Sequence, residues 1–113
     1  MRHLPRLSPA AWKTLARAVL KEPAGSAARV SLASAALVHA PAGLKASFRT
    51  ELLRDLRTGT NGEQYEACAA FARVGGDDDV PQLRGLLGAT DPDVRVGAAY
   101  AILSIGLRNR HSL

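Results

Sequence analysis

The chain has 113 residues, room for one domain with a modest core, and its 47% hydrophobic content argues against a disordered chain. Its single cysteine, Cys68, excludes an internal disulfide framework and any site with several cysteine ligands, and no apolar run of about 18 residues supports a transmembrane helix. The net charge of +5 is unevenly divided: residues 1–58 hold ten Lys or Arg against three acids, and residues 59–113 hold five against seven. A net +7 half thus precedes a net −2 half, which points to an acidic protein or nucleic acid as partner of the first half, against the plainer reading of a solvated basic surface.

The apolar residues are mainly Ala, Leu and Val, with only five aromatics, which suits closely packed helices better than strands and predicts an all-α fold. Arg2, Arg6, Lys13, Arg17 and Lys21 all precede the first acid, Glu22, as in a transit peptide, but the segment runs into a helical pattern with no separate apolar region. Ser8 followed by Pro9 reads as an N-cap with proline in the first turn, and Trp12, Leu15, Ala16, Val19 and Leu20 recur at helical spacing, predicting a helix from about Pro9 to Glu22. Opposite that stripe Lys13, Arg17 and Lys21, at i, i+4 and i+8, form one basic ridge.

EPAGS breaks the chain. A second helix is predicted over roughly Ser26 to Ala40, stopped by Pro41, with His39 in its last turn where the helix dipole favours a cation. A third, about Ala42 to Arg57, spaces Leu44, Phe48, Leu52 and Leu56 four apart, flanked by Lys45 and Arg49. GTNG at Gly59 to Gly62 is a turn signal. A fourth helix is predicted over about Glu63 to Val74, closed by Gly75 and Gly76 in a left-handed C′ cap. Asp78 or Asp79 then caps a fifth carrying Val80, Leu83, Leu86 and Leu87, which stops near Gly88. Asp91 and Pro92 open the sixth, to about Leu107.

Val94 to Gly106 can be laid over Glu63 to Gly75, 31 residues upstream, pairing Ala98 with Ala67, Ala101 with Ala70, Ile102 with Phe71, Ile105 with Val74 and Gly106 with Gly75. A fixed period of this size is the signature of a solenoid, which offers partners an extended surface rather than a pocket. The sixth helix carries two apolar stripes. Val94, Ala98, Ala101, Ile102 and Ile105 make one; Val96, Tyr100, Leu103 and Leu107 make another across from it. A helix apolar all round is expected to be covered on both sides, so either the LRNRHSL tail with an earlier helix or another molecule covers the second stripe.

The run Asp91, Pro92, Val94, Arg95, Ala98, Ala99, Ala101, Leu103, Ile105, Gly106, preceded by Val80, Pro81 and Leu83, resembles a HEAT-like repeat of the kind found in phycobilin lyases. The match is specific over residues 63–106 and looser over 26–58, where Pro41 replaces the terminal glycine. The resemblance implies a short α-solenoid of about six helices in one domain: a cap helix over 1–22, a divergent first repeat over 26–58, a second over 62–88 and a half repeat over 91–107. It also implies that Arg95 bonds to acidic or carbonyl groups of an adjacent repeat, a structural role shared with Asp91 and Pro92. The missing second helix of the last unit leaves that end open. Family members include lyases and a DNA glycosylase, whose chemistry depends on grafted residues, and fold alone does not carry function.

No catalytic constellation is evident. Cys68 lies in a helix at the spacing of Tyr65, Ala69 and Ala72 and reads as a buried structural thiol rather than a nucleophile. Asp77, Asp78 and Asp79 lack the twelve-residue loop and closing Glu of a calcium hand, and neither His3 nor His111 has neighbours at metal-ligand spacing. The expectation is a non-enzymatic cytoplasmic adaptor or scaffold subunit without metal or cofactor, binding another protein or a second copy of itself through Val96, Tyr100 and Leu103. Lys13, Arg17, Lys21, Lys45 and Arg49 supply charge steering, or phosphate contacts if the partner is nucleic acid. An enzyme related to the lyases is the weaker alternative, and the Ala, Arg and Gly richness hints at a high-GC bacterial source.

Overall fold

A computed structural model describes residues 7–111, with the side chain of His111 left aside. His3 and the first two arginines of the basic segment lie outside the described residues. The described chain is all-helical, in the order α1 (Pro9–Val19), α2 (Ala27–His39), α3 (Ala42–Thr58), α4 (Asn61–Val74), a 3-10 turn (Asp77–Asp79), α5 (Val80–Arg84) and α6 (Pro92–His111).

Local chemistry sets most of these boundaries. The Ser8 hydroxyl accepts from the Ala11 N–H, the Ser26 hydroxyl from Arg29, and the Asp91 carboxylate from Val94, so three helices open on side-chain caps. The GTNG turn is shorter than predicted. Gly59 ends α3, and Thr60 at once caps α4 in a reciprocal box: its hydroxyl accepts from Glu63 N–H, while the Glu63 carboxylate accepts from Thr60 N–H. Asn61 and Gly62 therefore form the first turn of α4 rather than a loop.

Four further expectations are corrected. α1 stops at Val19, three residues early, so Lys21 lies in the following turn and the basic ridge on the helix is Lys13 and Arg17 alone. Gly75 closes α4 in extended backbone, φ −73° and ψ 166°, and the left-handed glycine of the fold is instead Gly25, φ 87°, in the α1–α2 break. The Asp79 carboxylate does not cap α5; it accepts from the Gly76 N–H and closes the 3-10 turn, and α5 itself ends at Arg84, so Leu86 and Leu87 fall in the turn that follows. α6 continues past Leu107 to His111, because Arg108 reaches the carbonyls of Phe71, Ala72 and Gly75 at the open end of α4 and anchors another turn.

α4 is the central helix, packed between α2 and α6 and also against α3; α5 bridges α3 and α6, and α1 leans on α2. The main core gathers Leu52 and Leu56 of α3, Ala67, Cys68, Ala70 and Phe71 of α4, Leu83 of α5, and Val94, Ala98, Ala101 and Ile105 of α6. The alanines paired by the 31-residue register, Ala67 with Ala98 and Ala70 with Ala101, are all fully buried in this core, and a Cβ at Gly97 of α6 would stand 3.4 Å from the Cβ of Cys68 on α4. A second cluster holds Trp12 against Ala36 and Ala40, with Leu32, Leu44 and Phe48 around it.

Candidate interaction surface

Of the two stripes of α6, the first is consumed by the core: Val94, Ala98, Ala101 and Ile105 are fully buried. The second is open. Val96, Tyr100, Leu103 and Leu107 are 67%, 65%, 64% and 58% exposed, the four most exposed large apolar side chains described. They follow one another at intervals of four, three and four residues, which places them on one face of the helix. Among the described residues the chain does not turn back over them, since α6 simply continues to His111 and Arg108 is committed to α4. On one flank of the stripe lies a shallow groove of about 310 Å³ lined by Tyr65, Ala69, Ala72, Gly97, Tyr100 and Ser104.

The basic residues are dispersed in role. Lys13, Arg17 and Lys21 are exposed, and Lys13 shares an apolar groove between α1 and α3 with Leu20, Leu44, Phe48 and Glu51. Lys45 is half-buried. Arg49 is engaged internally: its guanidinium pairs with the buried Asp79 carboxylate and lies 5.7 Å from the centroid of the Phe71 ring. Arg49 therefore ties α3 to the 3-10 turn, and the five cations do not form one free surface. Arg95 donates to the carbonyls of Ala89 at 3.0 Å and Thr90 at 3.1 Å, in the loop before its own helix rather than in a neighbouring repeat.

The strongest polar arrangement escaped sequence reasoning. Glu66, 4% exposed, accepts from the Gly25 N–H at 3.0 Å through Oε1, which also lies 2.7 Å from Arg29 Nε; its Oε2 accepts from Arg29 Nη2 at 3.4 Å. The Nε–H is not aligned on its near oxygen, so that contact is a charge pair more than a hydrogen bond. The signal was present, because Glu66 precedes Ala67 and stands four residues before Ala70 on the apolar face of α4. An acid there requires a buried partner.

Nearby, burial and the carboxylates of Glu63 and Glu66 raise Asp55 to a pKa of about 6. Burial likewise pushes the Cys68 thiol up to about 11, and Cys68 is fully enclosed, which suppresses the thiolate a nucleophile needs. Asp77 accepts a hydrogen bond from the Asn109 amide, and among the described residues no three His, Cys, Asp or Glu side chains are grouped as a metal site. No described helix is long and apolar enough to cross a membrane. Comparison with protein-family models, with curated proteins and with solved structures finds no match to this chain.

Proposed function

We propose that this chain is a non-enzymatic protein–protein interaction module, an adaptor or scaffold subunit built as a short HEAT-like α-solenoid. The observation that carries the reading is the exposed stripe of Val96, Tyr100, Leu103 and Leu107 on a helix whose other stripe is already buried. Support for the solenoid comes from the order of packing, in which α4 lies between α2 and α6 while α5 bridges α3 and α6. The 31-residue register relating α4 to α6 points the same way. In such a stack α6 is the outermost described helix, and its outer face is the one a further helix would cover.

Magnitude decides how much this face can do. Fully burying an aliphatic side chain contributes about 1.5–3 kcal/mol, so Val96, Leu103 and Leu107, each roughly three-fifths exposed, together supply about 3–6 kcal/mol. Association costs about 4 kcal/mol or more. The aliphatic residues alone therefore do little more than offset that cost, and Tyr100 and the flanking polar groups supply the surplus.

A photo-crosslinking side chain placed at Leu103 in the native cell, compared with one at the exposed Gln82 of α5, tests the reading. An adduct specific to position 103 is expected, and equal or no labelling at the two positions would overturn it.

A further inference from the structure

Resting on the reading of α6 as the docking face, we propose that the occupant of that face is a second copy of this chain, paired antiparallel along α6 about a two-fold axis. The outer face of α6 repeats as a heptad seam. Asp93, Tyr100 and Leu107 occupy one position of the seven, and Val96, Leu103 and Arg110 the other, with the spacing four-three that lets two helices interlock side chains. All six are exposed.

When two such helices run antiparallel, each layer of the contact sets a residue of the first kind beside one of the second kind. A single register, with the axis between Ala101 and Ile102, sets Tyr100 beside Leu103 of the other copy, Val96 beside Leu107 and Asp93 beside Arg110. Four apolar layers are then closed at both ends by an opposite-charge pair, and the same patch serves both copies, as a two-fold interface requires. A parallel pairing in register would instead oppose Asp93 to Asp93 and Arg110 to Arg110, and would align the helix dipoles unfavourably.

Three further observations favour a second copy. Neither Asp93 nor Arg110 forms an ion pair within the chain among the described residues, so both charges are available. The flanks of the seam are small, with Gly97 and Ser104 on one side and Ala99 and Gly106 on the other. A Cβ at Gly106 would have no atom within 4 Å, so nothing inside the chain calls for glycine there, whereas close approach of a second helix does.

From Asp93 to Arg110 the seam spans about 25 Å of helix. A single helix pair of that length falls short of the ~800 Å² per partner of a standard interface, so the dimer is reversible and concentration-dependent.

Sedimentation of the full chain, from about 1 µM to about 1 mM to cover the affinities open to an interface of this size, is expected to show the mass rising from 11.9 kDa toward twice that value. Leu103→Arg, at an exposed position that leaves the fold intact by circular dichroism, should weaken association at least about ten-fold by forcing a charge into a central layer. Asp93→Arg alone, which opposes two arginines at each end, should weaken it at low salt, and Asp93→Arg with Arg110→Asp should restore it. A mass of 11.9 kDa at every concentration overturns the pairing, and so does a charge-swapped double variant no better than the single one. If the chain stays monomeric while position 103 still crosslinks specifically to a different protein, the pairing fails and the docking reading stands; if neither occurs, both fail.

Discussion

Replacing Arg29 by methionine removes the cation that faces Glu66 while keeping an apolar stem of similar length in α2. The carboxylate left behind is 4% exposed and keeps only the Gly25 N–H, at 3.0 Å, as a donor. Breaking a buried ion pair from one side costs about 3–5 kcal/mol, because the remaining charge is neither hydrated nor paired. That is a large share of the ~5–15 kcal/mol by which domains of this size are stable. Replacing both partners at once, Arg29→Met with Glu66→Leu, removes the stranded charge and should recover most of the loss, leaving about 1 kcal/mol for the lost tie to Gly25. Equilibrium urea denaturation followed by circular dichroism at pH 7, on the parent, both single variants and the double, measures the coupling directly. If Arg29→Met costs under about 1 kcal/mol, or if the double variant shows the sum of the two single losses, Glu66 keeps its hydration in the folded chain and the reasoning from burial fails.

Other substitutions test separate parts of the structure. Gly25→Ala places a Cβ 3.2 Å from the Gly62 carbonyl oxygen and forces a left-handed residue to carry it, so a loss of about 1–2 kcal/mol is expected in the same denaturation assay. Asp55 has its pKa raised from 3.8 to about 6, so the folded chain binds the extra proton between those values and stability falls as pH rises through that window. Asp55→Asn should therefore be more stable than the parent at pH 7.5, by about 1 kcal/mol once solvent screening of this partly exposed group is allowed for, and the difference should vanish near pH 4. Gly106→Ala meets open space in the interior of α6 and should raise monomer stability by about 0.5–1 kcal/mol, read in denaturant with the chain kept dilute.

The elements most legible in the sequence were those fixed by local chemistry. Ser8 with Pro9, Ser26, and Asp91 with Pro92 mark helix starts that hold, since a cap acts within four residues of chain. The two stripes of α6 were equally readable, because periodicity alone decides which side chains share a face. Where sequence reasoning missed, a tertiary partner had overridden a local signal. Gly75 looked like a left-handed cap, but its extended backbone leads into a turn whose Gly76 N–H is taken by Asp79. Asp79 looked like a helix cap because Arg49, thirty residues earlier, could not be seen beside it. Arg49 itself read as a surface cation for the same reason. Among the candidate contact residues, Lys13, Arg17 and Lys21 are accessible and the α6 stripe is exposed, whereas Arg49 is spent on holding α3 to the turn.

The packing order bears on how quickly this chain reaches its native state. α4 touches α2, α3 and α6, and α5 touches α3 and α6, so almost every helix meets partners no more than two elements away. Little loop entropy has to be lost before such contacts begin to form, and chains with mostly local contacts fold within microseconds to milliseconds. Synthesis proceeds in the same direction. Contacts among α2, α3 and α4 do not need α6 to be in place, and α6 packing against α4 at Gly97 then encloses Cys68.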